Sequence, residues 1–540
     1  MGIFIHLNIS DTITEDEWEK AYQKSVKLMG KMPFIEKTVK EYHGANLVCT
    51  TKTVEKDWYG KYGWHTIGDS VSMKTAEDYF LPKNIITEKA DESAMPKPYV
   101  DPYMSILPAY SDFDFEDERC DRVICLWGNK TQAEPYHFYL LAVACMLEHE
   151  LPGKVAIYGD ITRGQCKKAV EIASDLLGEQ VGLPDRCDLQ RLHDRVKKMP
   201  LNKNEVVVAF TVLYLGNQNE EFGEFIRKKF TDEELKLFWS GQFRCSKIGT
   251  HGFSDWLKKY LLWGFQVADL KEYVRFEDAE GNSLAEKFVK TVLDTEVFLE
   301  EKDCEDILEI DREEEGSYSI YTLFAHFAFA GAKNYRVNRY IPLEVLLEDL
   351  EKCVGGLCDV SQIVTEYMAE RTKQDARNNP TDTFIDHMHQ LRAELTTARE
   401  EYDISDSNEL MWYENGDSIT PSLNDSLMDF FEFYRETIQE DRYHKLLKKG
   451  SIYAIRYLIE QNRNFFFMEE AWDRIINDIE ESIDTFERYY PMVRVEPTKN
   501  EQIHFIRALV LNDELYQYCM EQLSNTCNTV AKDAANQMIQ

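Results

Sequence analysis

The stretch KVAIYGDITRGQCKKAVEIASDLL, residues 154–177, decides the fold class of the N-terminal part of the chain. It begins with an apolar run at 155–158, which is typical of a strand buried on both faces. Apolar residues then recur at three- and four-residue spacing from Cys166 to Leu177, which predicts a helix with one buried stripe. Thr162 and Gln165 match a capping box at the start of that helix.

The same pattern occurs once upstream, with a strand at 122–127, a polar loop and a helix at 135–149. Strand, helix, strand and helix in succession predict a right-handed crossover between parallel strands. We therefore expect an α/β N-terminal domain, built on a short parallel sheet with flanking helices. After about residue 200, amphipathic helical patterns dominate and predict a larger all-α helical region.

These patterns predict an α/β domain at 1–200 and one or more helical domains at 201–540, with a further boundary near 371–383. Residues 44–111 are rich in aromatic residues and proline, and we expect an irregular insertion there. The periodicity of the segment EVVVAFTVLYL at 205–215 does not decide between a strand and a helix. Its β-branched content favours a strand, whereas its length and the helical segments that follow favour a helix.

Polar loops follow both predicted strands, where ligands of α/β sheets tend to bind. The candidate ligand-binding residues in these loops are Asn129, Lys130, Asp160, Thr162, Arg163 and Gln165. A helix N-terminus flanked by Lys130 and Arg163 suits an anion, and Asp160 could hold a metal or accept a proton. The same residues also fit structural roles as helix caps and solvated charges. Neither loop has the glycine spacing of a dinucleotide or phosphate motif.

The chain has 97 acidic and 62 basic residues among 540, a formal net charge of -35. This charge predicts no binding to nucleic acid or to anionic membranes. It fits either a role in solubility or an electrostatic surface for a basic protein partner. The acids are densest at 112–121.

The apolar stretch at 135–149 is shorter than the ~20 residues that span a bilayer. Twelve scattered cysteines indicate free thiols, so we expect a cytoplasmic location. We predict neither a metal nor a cofactor.

Two functions remain open from the sequence. The first is a cytosolic acidic binding protein, such as an inhibitor, an immunity-type factor or a subunit of a complex, which engages a protein partner. The alternative is an enzyme or small-ligand sensor that uses the strand-end crevice around residues 159–165. The charge and the lack of a specific catalytic motif favour the first. Catalytic triads assemble in space, however, so the sequence decides neither catalysis nor the oligomeric state.

Overall fold

The computed structural model describes residues 3–85, 100–107, 123–278, 280–299, 337, 339–375 and 404–525. The chain divides into two compact units. Unit 1 comprises residues 1–32, 54–65 and 76–379, and unit 2 comprises residues 33–53, 66–75 and 380–540. The chain therefore enters unit 2 twice within its first 75 residues, well before the C-terminal helices of that unit.

The described strands are β1 (Phe4–Ser10), β2 (Phe34–Tyr42), β3 (Ala45–Lys52), β4 (Glu55–Trp58), β5 (Lys61–Asp69), β6 (Thr75–Pro82), β7 (Val123–Lys130) and β8 (Val155–Gly159). The α-helices of unit 1 include α1 (Glu15–Lys31), α2 (Tyr136–Glu150), α3 (Arg163–Leu177), α4 (Leu189–Val196), α5 (Lys203–Leu213), α6 (Glu220–Lys229), α7 (Asp232–Arg244), α8 (His251–Leu262), α9 (Ala285–Leu293), α10 (Leu343–Val354) and α11 (Val360–Asp375). Those of unit 2 include α12 (Pro421–Glu436), α13 (Asp441–Lys449), α14 (Ser451–Gln461), α15 (Glu469–Glu481), α16 (Phe486–Tyr489) and α17 (Asn500–Leu511).

The three-stranded sheet of unit 1 has the order β7-β1-β8, and both outer strands run antiparallel to β1. The predicted parallel sheet is therefore wrong. β7 and β8 do point in the same direction, but the N-terminal strand lies between them and pairs with each. Two parallel strands joined by a helix produce the same sequence pattern whether they are adjacent in the sheet or separated by a third strand. The pattern therefore could not show that β1 lies between them. The coarser prediction is confirmed, since β-structure is followed by a larger helical region.

The alternation of residues along β1 gives the sheet one apolar face. Ile5, Leu7 and Ile9 are buried, and successive strand residues point to opposite faces. Helix α2 is apolar nearly all round and packs against α1, α3 and β8, so it is covered on most sides, as its composition predicts. Burying one large aliphatic side chain in such a layer contributes about 1.5–3 kcal/mol.

The ambiguous segment at 205–215 is helical as far as Leu213, where α5 ends. A capping box explains where this helix begins. The backbone N–H of Asn204 donates to the side chain of Asn202 at 2.9 Å, and Glu205 accepts from the Asn202 N–H at 2.9 Å. The helix then buries Val207 and Phe210. A cap and two-sided burial thus outweigh the strand preference of its β-branched residues.

Much of the stretch predicted to be irregular is β-structure, which corrects that prediction for residues 45–82. In unit 1, β4 pairs with the first part of β5, from Glu55 opposite Trp64 to Trp58 opposite Lys61. Charged and aromatic residues on both faces of these short strands hide the period of two that normally indicates a strand. Residues 86–99 and 108–122, which include the acid-rich run at 112–121, lie outside the described residues.

In unit 2, β2 and β3 form an antiparallel hairpin that packs on C-terminal helices. Its register runs from Ile35 opposite Lys52 to Tyr42 opposite Ala45. The Thr50 N–H donates to the Phe467 carbonyl at 2.8 Å, and α14 and α15 pack against β3. An N-terminal hairpin therefore completes the core of the C-terminal helices.

The predicted boundaries at residue 200 and at 371–383 stay predictions, and residues 376–383 lie outside the described part of the chain. Over the ranges that are described, no helix has both the length and the apolar composition needed to cross a bilayer.

Candidate functional site

The ends of β7 and β8 bring most of the predicted site residues to one edge of the unit 1 sheet. Lys130 pairs with Phe4, and Asn129 and Gly159 lie on opposite sides of Ile5. Asp160 follows directly after β8. The two loops therefore share an edge, but the start of β1 separates them.

Asp160 fixes the start of β1. Its Oδ2 accepts a hydrogen bond from the backbone N–H of Phe4 at 2.9 Å, and its own N–H donates to the Phe4 carbonyl at 3.0 Å. Gly159 allows this close approach, because its φ is 115° and a Cβ there would lie 2.5 Å from the Phe4 carbonyl oxygen. This carboxylate is thus already engaged in holding the sheet edge.

The β7 side of the edge is also held by internal contacts. The Asn129 side chain donates to the Asp78 carbonyl. The Lys130 backbone N–H donates to Glu77 at 2.8 Å, and Lys130 Nζ lies 3.8 Å from the other oxygen of Glu77. The same ammonium lies 5.4 Å from the centroid of the Phe4 ring. Neither side chain is available to a ligand without giving up a contact.

Thr162, Arg163 and Gln165 have structural contacts at the start of α3. Thr162 Oγ1 accepts from the Gln165 N–H at 3.1 Å, and Gln165 Oε1 accepts from the Thr162 N–H at 2.9 Å, which confirms the capping box. Arg163 Nε donates to the carbonyl of Cys187 at 3.1 Å. The loop therefore fits its structural role, and the ligand-binding role of these residues stays a prediction.

Sequence reasoning missed an aromatic stack at this edge. The half-buried His6 ring stacks on Tyr158 at a centroid distance of 4.5 Å and on Phe4 at 5.8 Å. Burial lowers the pKa of His6, and the nearby Asp160 carboxylate acts in the opposite direction. The signal was the alternation in FIHLNIS, where Phe4 and His6 share the face opposite the buried isoleucines. An imidazole and a carboxylate here could exchange a proton with a bound molecule.

A second missed feature is a buried charged network centred on Arg195 of α4. Its guanidinium donates to both oxygens of Asp101 at 2.8 Å, to Asp185 at 3.1 Å and to Glu148 at 3.4 Å. The Tyr103 hydroxyl donates to Glu148 Oε1 at 2.6 Å. Burial raises the pKa of Glu148 to about 7, Arg195 opposes the rise, and Asp185 adds to it. Most of the network is buried, and only Asp185 is partly exposed, so its role is structural and it does not form an open site.

Three buried thiols lie near this network, on α2, α3 and the short 3-10 helix Asp185–Cys187. Burial raises the pKa of the Cys145 thiol, and hydrogen bonding to Cys145 raises the pKa of Cys166. Buried thiols with raised pKa are poor nucleophiles. In the part of the chain that the structure describes, no group of three or more His, Cys, Asp or Glu side chains is arranged to hold a metal ion.

A different kind of candidate surface lies on α12 in unit 2. We call it the acidic face, and it consists of Asp425, Asp429, Glu432, Phe433 and Glu436. All five side chains are exposed, and their spacing of three and four residues places them along one side of the helix. None of the four carboxylates forms an ion pair within the described residues, and Phe433 is 53% exposed. The face therefore presents an uncompensated negative stripe around an apolar side chain.

Comparison of the chain with protein-family models, with curated proteins and with solved structures finds no match.

Proposed function

We propose that the protein binds a protein partner that presents a basic surface, and that the acidic face of α12 is a contact surface for it. The observation that carries this proposal is the row of four exposed carboxylates around Phe433, which have no ion-pair partner among the described residues. Opposite charges steer association and fix orientation, and an aromatic side chain at the centre supplies apolar contact.

The charge distribution of the helix supports the proposal. Arg435, the basic residue of α12, is directed away from the acidic face, since it lies 3.3 Å from Glu487 and donates to the Tyr516 hydroxyl at 3.0 Å. It leaves the four carboxylates uncompensated. The formal charge of -35 adds a long-range field of the same sign, which attracts a basic surface and repels nucleic acid and anionic lipid.

The alternative, an enzyme or small-ligand sensor at the strand ends, has less support. Asp160, Thr162 and Gln165 each hold a hydrogen bond that fixes β1 or α3. A ligand there would compete with these contacts. We also expect a cytoplasmic location, because the described cysteines form no disulfide, as is usual in a reducing compartment.

The test compares three forms of the tagged full-length protein as baits in an extract of the organism that produces it, at low ionic strength. The first is the unchanged chain. The second removes the charge of the acidic face through the substitutions Asp425→Asn, Asp429→Asn, Glu432→Gln and Glu436→Gln. The matched control removes four charges from exposed positions of unit 1 that form no ion pair in the described ranges, through Glu221→Gln, Glu224→Gln, Glu277→Gln and Glu280→Gln.

We expect a protein with a basic surface that the unchanged chain and the control retain in equal amount, and that the acidic-face variant retains at least about tenfold less, a difference of about 1.4 kcal/mol. Its retention should fall as salt rises, because exposed charges are screened. Equal retention by all three forms would show that the acidic face of α12 does not bind the partner.

A further inference from the structure

Unit 2 carries a second exposed surface whose charge is opposite to that of the acidic face. We call it the basic face, and it consists of Arg442, Lys445, Lys448, Lys449, Ile452 and Tyr453. The three lysines lie three and four residues apart along α13, so they share one side of that helix. All three are exposed, and none forms an ion pair in the parts of the chain described.

The basic face has an apolar centre at the start of α14. Ile452 is 47% exposed and Tyr453 is 57% exposed. Lys449 Nζ lies 5.6 Å from the centroid of the Tyr453 ring, which places the lysine row beside the apolar pair. Gly450, with a φ of 94°, forms the turn that joins the two helices. An apolar centre with a charged rim is the usual composition of a protein–protein contact surface.

The acidic and basic faces carry opposite charges, and each includes exposed apolar side chains. One has four carboxylates around Phe433, and the other has four cationic side chains beside Ile452 and Tyr453. Within one chain they do not neutralise each other, since neither set forms ion pairs with the other. In a two-fold dimer with the acidic face of each copy on the basic face of its partner, both contacts are equivalent and no face is left free.

We infer that the occupant of the acidic face is the basic face of a second copy of this chain, so that the protein forms a reciprocal dimer through α12, α13 and α14. This inference rests on the proposed function and names its partner. The net charge of two copies opposes their approach at long range. At about 0.15 M ionic strength the screening length is about 8 Å, so long-range repulsion is damped while pairs in contact still attract.

The test is sedimentation velocity of the purified full-length protein over a range of concentrations. At about 0.15 M ionic strength we expect a monomer–dimer equilibrium, and at about 1 M, where the screening length is about 3 Å, we expect the monomer. A charge reversal of either face should raise the dissociation constant at least about tenfold. The basic-face variant carries Lys445→Glu, Lys448→Glu and Lys449→Glu, and the acidic-face variant carries Asp425→Lys, Asp429→Lys and Glu432→Lys.

The decisive measurement mixes the two reversed variants. Each reversed variant alone has two faces of like charge and should not dimerise. A mixed dimer places opposite charges together at both contacts, so the mixture should dimerise with the affinity of the unchanged chain. The matched control reverses three exposed lysines of unit 1 that have no ion-pair partner where the structure is described, through Lys198→Glu, Lys228→Glu and Lys247→Glu, and it should dimerise normally. Circular dichroism of each variant shows that the helices are intact.

A monomer at every concentration and salt condition overturns the inference, and so does a dimer that survives both reversals. Folded variants that are monomeric alone and stay monomeric when mixed also overturn it, because the two faces then do not meet. None of these outcomes affects the proposed function. That proposal fails only when the charge-neutralised acidic face retains a partner with a basic surface as well as the unchanged chain does.

Discussion

Arg195 forms a bidentate ion pair with Asp101 in the interior of unit 1. Nε and Nη2 of Arg195 each lie 2.8 Å from one carboxylate oxygen, and both side chains are 6% exposed. The same guanidinium reaches Glu148 on α2 and Asp185 beside the thiols, and its Nη2 donates to the Val155 carbonyl at 2.9 Å. One buried guanidinium thus forms hydrogen bonds with four separate segments of the chain.

The first prediction concerns the loss of this cation. The substitution Arg195→Met keeps apolar volume but leaves three carboxylates, two of them buried, without their counter-ion. Breaking a buried ion pair in this way costs about 3–5 kcal/mol. The control Arg191→Met removes an arginine that is 46% exposed and lies 3.6 Å from Asp185, so it should cost less than about 1 kcal/mol. Urea unfolding measures both, and equal losses would contradict the central role of Arg195.

The second prediction is a pH dependence that originates from Glu148. Its pKa is raised to about 7 in the folded chain, against about 4.3 for an exposed glutamate. Between these values the folded chain holds a proton that the unfolded chain has released. The stability that this proton contributes is therefore fully present below about pH 4.3 and is lost as the pH rises through about 7.

The comparison that isolates this effect is with Glu148→Gln, because glutamine does not titrate. From about pH 5 to about pH 8 the unchanged chain should lose free energy of unfolding relative to the variant, by about 1–3 kcal/mol. Urea unfolding at several pH values gives the difference directly, and contributions from all other groups largely cancel. Parallel pH profiles would show that Glu148 titrates normally in the folded chain.

The sequence predicts local structure in this chain much better than it predicts long-range pairing. The helix start at Thr162 follows from a capping box within four residues, and that box is present. The position of β1 depends on pairing with strands about 120 and 150 residues further on. No pattern within one element contains that information, so the sheet was predicted with the wrong neighbours.

The same distinction applies to the candidate sites. The strand-end loops were found because they adjoin strands with a clear pattern. The network around Arg195 was missed because Asp101 and Glu148 lie 94 and 47 positions away along the chain. The stack on His6 had a local signal, the polar and aromatic residues that alternate with isoleucine and leucine in β1, and attention to that alternation would have found it.

The third prediction tests the structural role of the strand-end loop. Thr162→Ala removes the hydroxyl that accepts from the Gln165 N–H, and the loss of such a cap costs about 0.5–2 kcal/mol. Thr162→Ser keeps the hydroxyl and should stay within about 0.5 kcal/mol of the unchanged chain. Urea unfolding distinguishes the two. A stable alanine variant would mean that this cap contributes nothing, which would return Thr162 to the ligand-binding hypothesis.

The last prediction concerns Tyr59 at the tip of the β4–β5 hairpin. Tyr59 has a φ of 50° and Gly60 a φ of 82°, so both central turn residues adopt the left-handed conformation. Two-residue hairpins favour Asn, Asp or Gly there, and a bulky residue is strained. The ring gains little from burial in return, since it is 92% exposed and its described ring contact is the edge of Trp58 at 5.2 Å.

We expect Tyr59→Asn to be more stable than Tyr59→Ala by about 0.5–1 kcal/mol. Both substitutions remove the ring and its contact with Trp58, but only asparagine fits the left-handed backbone, so the difference between them measures the strain alone. Urea unfolding of the two variants side by side provides the value. An alanine variant as stable as the asparagine variant would show that the turn tolerates any side chain at this position and that Tyr59 stores no strain.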